Sequence, residues 1–135
     1  MNEKSISLEN RLIDFAAYLI SISEALPKSM AGNYLSSQLL RSSTAPALVY
    51  GEAQGAESRS DFIHKMKVAL KEFRETNNCL RIIIKLGWKE NECNKALEEL
   101  NQLISIFVTS IKTAQKNNLN NKNYRTPKTG NDPNL

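Results

Sequence analysis

The 135-residue chain has one histidine, one tryptophan, two cysteines, four prolines and five glycines, and each scarcity removes a class of chemistry. A di-metal carboxylate bundle needs a Glu-x-x-His element on each of two helices. Asp61-Phe62-Ile63-His64 imitates that element once, and with His64 the only histidine a second cannot exist. His64 therefore reads as a partly exposed polar residue, and no metal or cofactor is expected. Cys79 and Cys93 form no Cys-x-x-Cys pair and read as two buried free thiols. Gly51-Glu52-Ala53-Gln54-Gly55 has neither the lysine nor the preceding strand of a phosphate-cradling loop. No apolar run reaches the roughly 18–20 residues of a membrane span. Met1-Asn2-Glu3-Lys4-Ser5 lacks the basic region and apolar core of an export signal, so a cytoplasmic protein is expected.

What the sequence does have is helical periodicity, four times over. In the first segment, from about Ser7 to Ala25, Leu12, Phe15, Leu19, Ile22 and Leu26 recur at three- and four-residue steps, which places them on one face. Ile13, Ala16 and Ile20 widen the stripe. Pro27 suits the first turn of a second helix over roughly Lys28–Ala53. That helix carries Tyr34, Leu35, Leu39, Leu48 and Val49 around the small residues Ser42, Ser43, Thr44, Ala45 and Ala47. Pro46 crowds the carbonyl of Ser42, so a kink is expected, with neighbouring hydroxyls serving the freed carbonyl. A third helix starts near Ser60, capped by Ser58 or Ser60, and stops at Gly87. Its row Phe62, Met66, Ala69, Phe73, Thr76, Leu80 and Ile83 is flanked by a second, Ile63, Leu70, Asn77 and Ile84. The fourth helix, about Glu90–Gln115, repeats the rhythm with Cys93, Leu97, Leu100, Ile104, Phe107, Ile111 and Ala114, supplemented by Leu103, Ile106 and Val108.

Short connections between such helices predict an all-α, antiparallel up-down-up-down four-helix bundle over residues 1–115. The additional apolar rows predict self-association. From Lys116 the character changes: seven of the last 20 residues are asparagine, and Pro127, Gly130 and Pro133 interrupt any helix. Residues 116–135 are expected to be a flexible basic tail.

The formal charge of +4 is concentrated. Lys116, Lys122, Arg125 and Lys128 stand against Asp132 alone, which leaves the body nearly neutral. Within the body, Lys65, Lys67, Lys71, Arg74, Arg81 and Lys85 on the third helix outnumber Asp61, Glu72 and Glu75. These six cations are the candidate nucleic-acid-binding residues, by phosphate neutralisation; a solvated face and a solubilising tail fit the same charges. They read as spread around the helix, with several on the outside because Phe62, Met66, Phe73 and Leu80 occupy the inner rows.

Catalysis finds no foothold. Neither cysteine has a neighbouring base in sequence, and the acidic residues read as ion pairs, Lys71–Glu75 being spaced (i, i+4). Glu52, among small and apolar residues at a helix end, reads as a partly buried carboxylate. Arg41, Arg59 and Arg74 are its available partners. Arg41, Glu52 and Glu75 are thus structural polar residues in this reading.

The segment Gln38–Trp88 resembles a known family, the bacterial 23S rRNA intervening-sequence proteins. The resemblance rests on Gln38-Leu39-Leu40-Arg41-Ser42, Pro46-Ala47-Leu48 and Tyr50-Gly51-Glu52-Ala53-Gln54-Gly55-Ala56-Glu57-Ser58. It continues through Asp61-Phe62-Ile63-His64-Lys65-Met66-Lys67, Leu70-Lys71-Glu72, Arg74-Glu75-Thr76 and Leu86-Gly87. It implies a four-helix bundle assembling as a ring-like homopentamer. The family is similar to the accessory proteins of diversity-generating retroelements, basic pentamers that bind nucleic acid and a reverse transcriptase. One departure is Val49, where the family commonly has asparagine. The combined expectation is a non-enzymatic homo-oligomer that binds RNA or DNA weakly through basic surface residues. The alternative is a protein-interaction scaffold without a nucleic-acid role, a reverse transcriptase being one partner the resemblance suggests.

Overall fold

The computed structural model describes residues 2–125, with side chains for residues 2–4 and 7–119. Four helices account for nearly all of this: α1 Glu3–Glu24, α2 Met30–Gln54, α3 Arg59–Lys85 and α4 Glu90–Arg125. No strand occurs among the described residues.

Local chemistry sets the boundaries. Ser29 is extended and its hydroxyl accepts from the Gly32 amide, so α2 begins at Met30 and Pro27 precedes the cap rather than entering the helix. The Pro27 carbonyl then passes so close to Gly32 that a Cβ there would lie 1.8 Å from the oxygen. Ser58 caps α3 by accepting from the Asp61 amide. At the far end Gly87 adopts φ +78°, the left-handed conformation that closes a helix without steric cost.

α2 continues as one helix through Pro46, whose ring is fully buried. The Ser43 and Thr44 hydroxyls bond carbonyls one turn earlier, at Leu40 and Arg41, rather than that of Ser42. α4 does not stop at Gln115 but continues to Arg125. Asparagine is only modestly unfavourable in a helix, so the asparagines from 117 to 123 do not end it. The remainder of the expected tail, Lys128 included, lies outside the described residues.

All four helices contribute to one core. Leu12, Phe15, Leu19, Ile22 and Leu26 are buried, as are Met66, Ala69, Phe73, Thr76, Leu80 and Ile83 of α3. Phe73 stands between Phe15 (centroids 6.1 Å apart, interplanar angle 73°) and Phe107 (5.1 Å, 89°), two edge-to-face contacts joining α1, α3 and α4. Tyr50 of α2 packs on Phe107 at 5.9 Å. On α4 the inner row is Cys93, Ala96, Leu100, Leu103, Phe107, Ile111 and Ala114. Leu97 and Ile104, expected in that row, are only half-buried, one position to the side.

Polar contacts order the helices. Between α2 and α3, the Cys79 thiol donates to the Leu35 carbonyl at 3.6 Å, and the buried Thr76 and Ser42 hydroxyls share a 2.8 Å hydrogen bond. Arg11 ties α1 to α4 through a two-pronged pair with Glu99, at 2.6 and 3.1 Å, and a bond to Gln102. Both thiols are buried and free; burial chiefly, aided by Glu75 near Cys79 and Glu92 near Cys93, pushes each up to about 11.

Candidate nucleic-acid interface

α3 turns by about 100° per residue. On that wheel Lys67, Lys71, Arg74, Arg81 and Lys85 fall within about 40° of a common line, at steps of four and three completed by Asn78. All six side chains are exposed. The cations are therefore not spread around the helix: five form one stripe about 27 Å long. Lys65 alone points elsewhere, about 160° away. Its ammonium lies 3.7 Å from Asp61 and 4.0 Å from Glu52, with 28% of the side chain exposed.

Along its first half the stripe borders a groove between α3 and α4 of about 410 Å³, where Lys67, Lys71 and Arg74 face Lys112 over Leu70 and Val108. Arg81 and Lys85 border a second hollow of about 460 Å³ with Asn78, Ile82 and Leu86. Among the described residues no ion pair involves any of the five stripe cations. An unpaired guanidinium or ammonium beside an apolar floor offers its full charge to a phosphate. Sequence reasoning missed Asn78 and Lys112; the four-three step and the Lys112–Lys116 spacing were the available signals.

The structural polar residues are partly regrouped. Glu52 is exposed, at 63%, and its partner is Lys65 rather than Arg41, Arg59 or Arg74. The reason is its helical position, one residue before the inward-facing Ala53. Arg41 instead reaches across from α2 to Glu72, at 3.1 and 3.2 Å, and to Glu75, while also bonding Gln38. Glu75 is thus paired with Arg41 and not with Lys71. The two carboxylates, Glu72 first and then Glu75, raise the Arg41 pKa. Burial and the hydrogen bond with Glu75 raise the Glu72 carboxyl against the opposing pull of Arg41. The cluster flanks the stripe on the side of Lys71, and its carboxylates are engaged by Arg41. His64 is exposed, and no group of three or more His, Cys, Asp or Glu side chains that could hold a metal occurs among the described residues. No helix among them is long and apolar enough to cross a membrane. The side chains of Lys122 and Arg125 lie outside those described.

A crystal structure of a protein of unknown function from Bacteroides thetaiotaomicron, assigned to the S23 ribosomal protein family, is similar to this chain at 26% identity and a TM-score of 0.74. The similarity covers 81% of this chain and 98% of that one. No curated protein matches. The model of the 23S rRNA-intervening sequence protein family matches residues 4–109, so the chain belongs to that family.

Proposed function

We propose that this protein is a non-enzymatic, cytoplasmic homo-oligomer that holds RNA or DNA by its phosphates, with the α3 stripe as the contact surface. The observation that carries this reading is the alignment of Lys67, Lys71, Arg74, Arg81 and Lys85 on one exposed line, unpaired among the described residues. The line lies opposite the buried row Phe73, Thr76, Leu80 and Ile83, so all five cations are open to one polyanion. The family's link to 23S rRNA intervening sequences agrees with a nucleic-acid partner. The contacts Leu35–Cys79, Ser42–Thr76 and Glu52–Lys65 support opposite directions for α2 and α3, and with them an up-down-up-down bundle. A ring-like pentamer would present the stripe five times, turning weak contacts into avidity.

Binding of mixed-sequence RNA and DNA at increasing salt tests the reading. A protein engaging four or five phosphates per subunit loses affinity with a log–log slope of about −4. Binding that is absent at low salt would overturn it. The rival, a scaffold for protein partners, draws on Met30, Tyr34 and Leu48, exposed apolar residues on the outer side of α2. It predicts a stoichiometric protein in a pull-down from which nuclease releases nothing.

A further inference from the structure

A second site lies where α1 begins and α3 begins, against the later turns of α4. A cavity of about 730 Å³ there adjoins another of about 510 Å³, and the two share Lys4, Phe62, Ile106 and Ser110 in their walls. Volumes of this size are those of small-molecule pockets. The location explains a discrepancy in the core: Phe62 heads the inner row of α3, yet stays half-exposed while Met66, Ala69 and Phe73 are closed off.

Tyr50 supplies the observation that points to a ligand. The residue is 4% exposed and its ring packs against Phe107. Its hydroxyl nevertheless finds no hydrogen-bond partner among the described residues, and it borders the smaller cavity without being sealed from it. Gln54, one turn onward on α2, lines the same wall. A phenol hydroxyl that opens onto a cavity is a donor and acceptor for whatever fills it.

The charges define what that partner would be. Lys4 and Arg59 reach the larger cavity from different helices, and neither is ion-paired among the described residues. Around them α4 offers the hydroxyls of Ser105, Thr109 and Thr113. No carboxylate lines either cavity among the described residues. Two cations and several hydroxyl donors suit a group with many acceptor oxygens and more than one negative charge, which is a phosphate monoester. Phe62 and Ile106 leave an apolar floor for a flat body beside it. We propose that this cleft binds a nucleoside monophosphate, its phosphate between Lys4 and Arg59 and its base over Phe62, either free or as the 5′ end of a strand. The proposal is independent of the α3 stripe.

Calorimetry on the full-length protein with adenosine 5′-monophosphate, adenosine and inorganic phosphate tests it. The nucleotide should bind one per chain, and about tenfold tighter than either fragment. Tyr50→Phe keeps the ring on Phe107 and removes only the hydroxyl; Arg59→Gln removes a surface charge. Each should weaken the nucleotide about fivefold with the melting temperature unchanged. A 5′-phosphorylated tetranucleotide that outbinds its 5′-hydroxyl twin would assign the cleft to strand ends, and a preference for the free nucleotide to the metabolite. No heat at about 1 mM nucleotide, or variants that bind as the parent does, would overturn the proposal.

Discussion

At the residue scale, the strongest constraint sits at a position with no side chain. Gly32 faces the Pro27 carbonyl so closely that a methyl group must displace backbone rather than a flexible neighbour. Gly32→Ala would improve helix propensity, yet the collision dominates, and a loss of about 1–3 kcal/mol is expected in urea unfolding. A neutral result would mean that the turn between α1 and α2 is free to shift. The thiols give a second test. Their folded pKa of about 11 lies above the ordinary value of 9.0. Raised folded values add stability that is complete below about pH 9. That contribution is lost as pH rises through about 11. Cys79 and Cys93 should therefore resist iodoacetamide at pH 8 while folded and react at the free-thiol rate in denaturant. Equal rates in both states would contradict their burial.

At the scale of the element, α3 carries the functional argument through its period. Replacing Lys71 and Arg74 together by glutamine should lower RNA affinity and flatten the salt slope by about two. Lys65→Gln should change neither, because Lys65 lies on the opposite side and is already paired with Asp61 and Glu52. If both variants behave alike, the stripe is not the contact surface. The stripe has no aromatic residue, whereas non-specific single-strand binders combine cations with stacking platforms. Duplexes should accordingly bind at least as well as single strands of equal length. The burial of α1 and the inner row of α3 was legible because three- and four-step apolar spacing leaves one solution. The fate of Glu52 was not, since its neighbours in sequence, Gly51 and Ala53, do not reveal which way position 52 turns. The same period that exposed the apolar row also contained the cationic one. Reading the lysines by number rather than by angle scattered them. Arg41 found its partners on α3, 31 and 34 residues away, at a distance no local pattern reports.

On the scale of the whole molecule, Ala114 is the last buried residue of α4 among the side chains described, although the helix itself continues to Arg125. Between Gln115 and Leu119 no side chain is part of the buried core. The final turns begin with Lys116, four residues beyond Lys112 at the groove, and the sequence after it adds Lys122, Arg125 and Lys128. In the proposed pentamer each subunit contributes these charges alongside its stripe, so a polyanion meets a repeating set of cations. Removing residues 116–135 should leave helicity per residue, melting temperature and oligomeric mass per chain essentially unchanged, because every buried side chain described above is retained. The same truncation should weaken RNA and DNA binding and reduce its salt dependence, since each phosphate that is no longer neutralised takes about 0.9 from the slope. Light scattering reads the first outcome and a salt titration the second. A single-chain mass at micromolar concentration would remove the avidity argument. A truncated protein that binds both nucleic acids as the full chain does would confine recognition to the bundle, where Lys67, Lys71, Arg74, Arg81 and Lys85 would have to account for all of it.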